Sequence, residues 1–356
     1  MTVRGILAFA VTIMGSSFAQ AADGPSPWDA KRSVPVCTDA HDQEHPAISS
    51  AKQGLIVMWQ DNRPEGKTEG TKFPWSVRGM VLKHRKEFVV FCPPDSNAMT
   101  PAISGDRVAL VHNRGWSNVL VIGLPRGEPN TLDGVAFTPA IDGELVTFTS
   151  AKHRWEGWTG KSAPPASWIT DIVAYEMGGI GLPFDVTNSD TLNQNEPDVS
   201  GTTVVWQQGS QAGGWSNYGI YKRDINVDPE PVRISRNPGK SAQKPTICGT
   251  VIVWQDNRNG DWDIYGYDLQ TKEEMEICRA PGDQEAPAIN GQTVVWQDNR
   301  RGDWDIYGCD LNPKSVFAVY EGKGDQTEPD VCGDVVVWTD TRDGNKDIYM
   351  NRKTSE

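Results

Sequence analysis

The C-terminal third of this chain is written three times. PTICGTVIVWQDNRNGDWDIYGYDL, beginning at Pro245, returns at Pro287 as PAINGQTVVWQDNRRGDWDIYGCDL and starts again at Pro329 as PDVCGDVVVWTDTRDGNKDIYMNR. Self-similarity at a fixed spacing constrains architecture more than any local propensity, because each unit must bury its faces against its own copies. Every copy parses into short strands. Thr246-Ile247 precedes a turn at Gly249, Val251–Trp254 is β-branched and aromatic, Asn259-Gly260 closes a hairpin, and Ile264–Tyr267 returns. Met275–Cys278 completes the unit as an outer strand. Four antiparallel strands per repeat of this length predict the blade of a β-propeller.

The proline before each first strand counts the blades: Pro46, Pro101, Pro139, Pro197, Pro245, Pro287 and Pro329. Seven such openings predict an all-β, seven-bladed propeller with four-stranded blades. Six blades is the alternative, since the second and third copies (PAISGDRVALVHNR and PAIDGELVTFTS) diverge. No long segment alternates at helical period. The repeats start in mid-unit: Val34–Cys37 and the DAHDQEHPAIS that follows align with the outer strand at Cys278 and RAPGDQEAPAIN. The last unit stops after Asp347–Tyr349, one strand short. The N-terminal strand is therefore expected to close the ring.

Residues 1–21 read as a secretory signal peptide, with Arg4, a short apolar run and Ala19-Gln20-Ala21. Residues 22–33 read as a linker and residues 34–356 as one propeller domain. The apolar run is too short for a membrane span, so an exported protein of the periplasm or cell surface is expected. A net charge of −13 argues against nucleic acid as a partner.

Two faces differ in loop length. Hairpins between second and third strands share one face with the outer-to-inner crossovers, and the long insertions fall there. On that face D-x-R…D-I-Y recurs as Asp61/Arg63, Asp256/Arg258/Asp263, Asp298/Arg300/Asp305 and Asp340/Arg342/Asp347. Asp256, Asn257, Asp261 and Asp263 are oxygen donors of the kind Ca²⁺ takes. The competing reading is a structural Arg–Asp lock, which repetition in every good copy favours; no cofactor is expected, with Ca²⁺ as the alternative. Trp59, Trp206, Trp254, Trp296 and Trp338 are expected to fill blade interfaces. Trp155 and Trp158 lie in an irregular insertion and are candidate ligand platforms. The six cysteines stand at repeat-equivalent sites in different blades, which predicts free thiols.

A polar pair recurs before the inner strands: Asp42-Gln43, Asn193-Gln194, Asp283-Gln284 and Asp325-Gln326. With Glu44, Glu196, Glu285 and Glu328 nearby, these residues predict an acidic, amide-rich ring at the mouth of the funnel. Alternatively, each Gln ties down its own crossover. No HExxH, GxSxG or nucleotide-binding glycine motif is present, and His41, His45, His84, His112 and His153 all lie in the first half.

VVWQDNRNGDWDIYGYDL resembles the repeat of TolB-like propellers, including surface proteins with several DNR…DIY copies. The resemblance is strongest over residues 245–351 and weak over 102–196. It departs from TolB itself, whose first turn reads Ser-Pro-Asp-Gly and whose propeller follows an α/β domain. The resemblance implies a non-catalytic module binding a protein or glycan partner. The alternative is a carbohydrate-active enzyme, since oligogalacturonate lyases are similar seven-bladed propellers that use histidine-bound metal.

Overall fold

The computed structural model describes residues 26–354 apart from 65–74, 115–116, 125–126, 133–134, 152–168, 179–181, 190 and 211–216. After β1 (Val34–Cys37), blade one is β2 (Gln43–Ala51), β3 (Gly54–Asp61), β4 (Ser76–Val81) and β5 (Lys86–Phe91). Blade two is β6 (Asn97–Ser104), β7 (Arg107–Asn113), β8 (Ser117–Gly123) and β9 (Asn130–Leu132). Blade three is β10 (Ala136–Asp142), β11 (Leu145–Ser150), β12 (Asp171–Glu176) and β13 (Phe184–Asp185). Blade four is β14 (Leu192–Ser200), β15 (Thr203–Ser210), β16 (Gly219–Asp224) and β17 (Val232–Arg233). Blade five is β18 (Ala242–Cys248), β19 (Val251–Asp256), β20 (Asp263–Asp268) and β21 (Glu273–Cys278). Blade six is β22 (Gln284–Asn290), β23 (Thr293–Asp298), β24 (Asp305–Leu311) and β25 (Lys314–Tyr320). Blade seven is β26 (Gln326–Cys332), β27 (Val335–Asp340) and β28 (Asp347–Arg352), with β1 as its outer strand.

These are seven four-stranded antiparallel sheets, so the seven-bladed count holds and the six-bladed alternative falls. Val34 pairs with Met350 and Cys37 with Ile348, which closes the ring as the mid-repeat start predicts. The stretch read as a linker is docked over its described part. Trp28 is buried and stacks on Phe317 at 6.2 Å, while Ala30 and Pro27 carbonyls accept the N–H groups of Glu321 and Thr354 at 2.9 Å.

Each blade's innermost strand lies against those of its two neighbours, around a central channel. The hydrophobic core is correspondingly divided into seven clusters, one at each seam between blades. Trp59, Trp206, Trp254, Trp296 and Trp338 are fully buried in five of these seams. Leu110 and Phe148 hold the same position in the divergent blades two and three. All six cysteines are free thiols, four of them buried, and burial pushes Cys37 and Cys278 up to about 12.

One expectation needs correcting. The prolines do not open the inner strands; they sit inside them, on bulges. The residue before each is left-handed: His45, Thr100, Thr138, Glu196, Lys244, Ala286 and Glu328, with φ between 45° and 55°. At each, two inner-strand residues oppose one residue of the second strand, as Lys244-Pro245 oppose Trp254. A non-glycine residue in this region costs on the order of 1–3 kcal/mol and persists only where its surroundings fix it. At five of the seven a side chain of the neighbouring blade does so.

Candidate functional site

Four of the bulges are held by amide side chains reaching across the seams. Gln60 Oε1 accepts the Thr100 N–H at 3.0 Å, Gln207 that of Lys244 at 2.8 Å, Gln255 that of Ala286 at 2.9 Å, and Gln297 that of Glu328 at 3.1 Å. At the closing seam Glu328 Oε2 takes the His45 N–H at 3.2 Å. On the opposite face a second belt holds the tight turns. The N–H groups of Gly105, Gly143, Gly201, Gly249, Gly291 and Gly333 donate to Ser49, Ser104, Asp142, Ser200, Cys248 and Asn290 of the preceding blade at 2.7–3.2 Å. Ser50 N–H completes it on Cys332. Bulges commonly re-aim side chains beside sites, and these aim theirs at the channel mouth.

The recurring hairpin motif is consumed by the scaffold. Asp298 is fully buried; it accepts Trp296 Nε1 at 2.9 Å and both Nε and Nη2 of Arg300 at 2.8 and 2.5 Å. Arg300 in turn lies 4.1 Å over the ring of Tyr307. Asp61 holds Trp59 and Arg63 in the same way, and Asp340 holds Trp338 and Arg342. Asp256 accepts Trp254 Nε1, the Arg258 backbone N–H and one Arg258 guanidinium nitrogen, and Arg258 also pairs with Glu274. The lock therefore accounts for these aspartates, and Asp263 accepts Asn259 Nδ2 at 2.9 Å. Among the described residues no three His, Cys, Asp or Glu side chains group as metal ligands.

The predicted polar ring divides in two. Gln43, Gln194, Gln284 and Gln326 are buried; Gln43, Gln284 and Gln326 turn back onto the crossover that leads into their own strand, and Gln194 reaches blade three. Gln43 bonds His41 O and the Asp39 N–H, Gln284 bonds Gly282 O and the Ala280 N–H, and Gln326 bonds Lys323 O and Gly324 O. Gln194 donates to Thr170 O at 2.6 Å in the amide orientation that satisfies its neighbours. Asp283 and Asp325 accept the N–H groups of Trp262 and Trp304, Asp42 that of Lys346, and Asn193 is buried. Trp155 and Trp158 lie outside the described residues.

What lines the mouth instead is the next pair along each strand, phase-shifted by the bulge. His45 Nδ1 lies 3.0 Å from Glu328 Oε1. Burial works against the charge of both, yet their mutual bond dominates: His45 is raised, and Glu328 is held down at about 2. Glu44 pairs with Lys346 and accepts Gln60 Nε2 at 2.6 Å. Glu196 is raised by burial although Lys244 and His45 both pull it back, so side chains from blades one, four and five feel one another at the mouth. Glu285 is likewise raised by burial and opposed by Lys244. Glu196 has no hydrogen-bond partner among the described residues, and Glu285 has only Gln297 at 3.4 Å. Deeper, burial lifts Asp198 to about 7 and Asp330 to about 6, against the bonds they accept from Ile247 and Ile48 N–H at 2.8 Å. The bulge was the missing signal: a polar residue stands before six of the seven repeat prolines, with Ala286 the exception.

No family model matches the sequence, and no curated protein does. Solved structures do match in fold. An oligogalacturonate lyase from Vibrio parahaemolyticus superposes with a TM-score of 0.65 at 13% identity, covering 93% of this chain and 95% of that one. The β-propeller domain of the trilobed protease from Pyrococcus furiosus, which has an open velcro topology, gives 0.62 at 12% identity over 88% and 98%. TolB from Acinetobacter baumannii gives 0.50 at 14% identity over 87% and 79%. At such identities the likeness is one of fold, and it spans binding proteins and enzymes alike.

Proposed function

We propose that this chain is an exported, non-catalytic binding propeller whose working surface is the channel mouth on the long-loop face. The ligand class is a basic segment of a partner protein or, with the same acceptors, a polyhydroxylated glycan. One observation carries the reading. Glu196 and Glu285 stand half-buried at the mouth with acceptor oxygens unfilled by the scaffold, beside Lys244 and His45. Partly desolvated carboxylates short of donors gain most from a ligand that brings N–H or O–H groups. The buried Gln residues serve here as the frame. Export rests on the signal-like residues 1–21; no helix among the described residues is long and apolar enough to cross a membrane.

The second reading is a carbohydrate-active enzyme, which draws on the fold shared with the lyase. It asks for a converging acid–base or metal-binding set. The four described histidines stand apart: His41 pairs with Asp39, His45 with Glu328, His112 with Ser96, and His84 is exposed on the β4–β5 turn. The test is a peptide and glycan array read for both binding and cleavage, with a Glu196→Gln/Glu285→Gln variant beside the wild type. Binding without cleavage, lost in the variant, is the expected result. A folded variant that binds every wild-type ligand equally well would move the working surface to the Trp155–Trp158 insertion, and released product would establish the enzyme.

A further inference from the structure

A groove of about 390 Å³ runs along the outer rim between blades four and five, away from the channel mouth. Its walls are apolar: Val232 and Ile234 from blade four, Tyr267 and Leu269 from blade five. Its cations are Lys222, Arg233, Arg236 and Lys272. Lys222 is neutralised by Asp228 at 2.7 Å, and Arg233 reaches the neutral amide of Asn237 at 2.9 Å. Arg236 and Lys272 are exposed and form no ion pair among the described residues. The nearby Glu274 is occupied by Arg258 and by the Arg236 N–H. On a chain of net charge −13, such a concentration of positive charge is out of keeping with the whole.

The backbone adds a third feature. β17 is the edge of its sheet and, like β13, only two residues long, where β21 and β25 have six and seven. Val232 on this edge is 45% exposed, and Val227 in the preceding loop is 75% exposed. A sheet edge with unpaired polar groups and uncovered valine side chains is a template for strand addition.

We propose that this groove docks an extended acidic segment of a partner protein whose groove-facing side carries both carboxylates and apolar side chains. On an added strand every second side chain turns towards the groove, since successive side chains point to opposite faces, so both kinds stand at i, i+2 and i+4 positions. The carboxylates meet Arg236 and Lys272, the apolar side chains cover Val232 and Leu269, and the backbone pairs with β17. A small anion or a phosphate headgroup satisfies only the cations and leaves the edge and the valine uncovered. The proposal is independent of the channel mouth.

The experiment uses a fluorescently labelled peptide in which glutamate and leucine take turns at every second position with serine between them, and binding is read by anisotropy. Saturable binding that weakens with added salt is expected. The Arg236→Glu/Lys272→Glu variant should lose at least roughly tenfold in affinity, about 1.4 kcal/mol. Both residues are exposed, so an unchanged melting temperature is expected to accompany the loss. Val232→Asp should weaken the same peptide through the apolar wall. Equal binding by both variants, or by a glutamate–serine peptide lacking apolar side chains, would overturn the proposal, as would no binding to the wild type.

Discussion

Replacing Asp298 by alanine isolates what one hairpin lock contributes. The carboxylate is fully buried and takes four donors: Trp296 Nε1, Arg300 Nε and Nη2, and the Arg300 backbone N–H at 3.0 Å. Alanine leaves a guanidinium whose side chain is only 24% exposed, stacked on Tyr307, with no counter-charge, and an orphaned indole N–H at the seam. Breaking a buried pair from one side costs about 3–5 kcal/mol, and the residual exposure of Arg300 puts this case near the lower end. An unfolding entropy of about 2.1 cal/mol/K per residue over roughly 320 residues is about 0.7 kcal/mol/K, so Tm should fall by about 4–5 °C. Differential scanning calorimetry measures the fall, and a double-mutant cycle with Arg300→Ala should return a coupling of about 2 kcal/mol. A fall below about 1 °C with no coupling would place the lock among surface salt bridges and refute the reasoning. A Tm increase on adding Ca²⁺ that Asp298→Ala abolishes would restore the cation reading of the hairpin.

Two further predictions follow from closure and from the channel acids. Deleting residues 26–37 removes β1 and the buried Trp28, so Tm should drop by at least about 10 °C; an unchanged Tm would refute closure by the N-terminal strand. Asp198 and Asp330, raised to about 7 and 6, hold their protons more tightly folded than unfolded, so stability should fall as pH rises from about 4 to 7. Glu328, held at about 2, acts oppositely: its contribution is present above about 4.5 and lost as pH falls towards 2. Tm against pH should therefore peak in mild acid, and Asp198→Asn, which keeps an acceptor for Ile247 N–H, should raise Tm at neutral pH; a Tm lowered there by Asp198→Asn contradicts this account.

The fold was legible because its requirements are local and repeated. A turn glycine, a β-branched second strand ending in Trp, an Asn-Gly or equivalent hairpin and a missing final strand all stand in the sequence at equal offsets. The Asp–Arg lock was legible for the same reason. The mouth was not, because one left-handed residue reverses the alternation of a strand. Read as an unbroken strand, Gln43 and Gln284 are expected at the mouth; with the bulge in place they are buried, and Glu44, His45 and Glu285 are the half-buried ones. The rim groove lies further still from sequence reasoning, since Val232 and Leu269 belong to different copies, and their meeting is set by how one sheet stacks on the next.

The backbone N–H bonds that make up the two belts run in one sense. At both belts the later blade gives the N–H and the earlier blade accepts it, and Ile247 to Asp198 and Ile48 to Asp330 follow the same sense. Each blade thus has a giving side and a receiving side, as subunits do in a head-to-tail cyclic oligomer. The ring ends only because the seventh receiving side meets the first giving side at the correct angle. A chain with a blade removed would keep one of each, complementary and unable to meet within the molecule, and its natural outcome is polymerisation end to end.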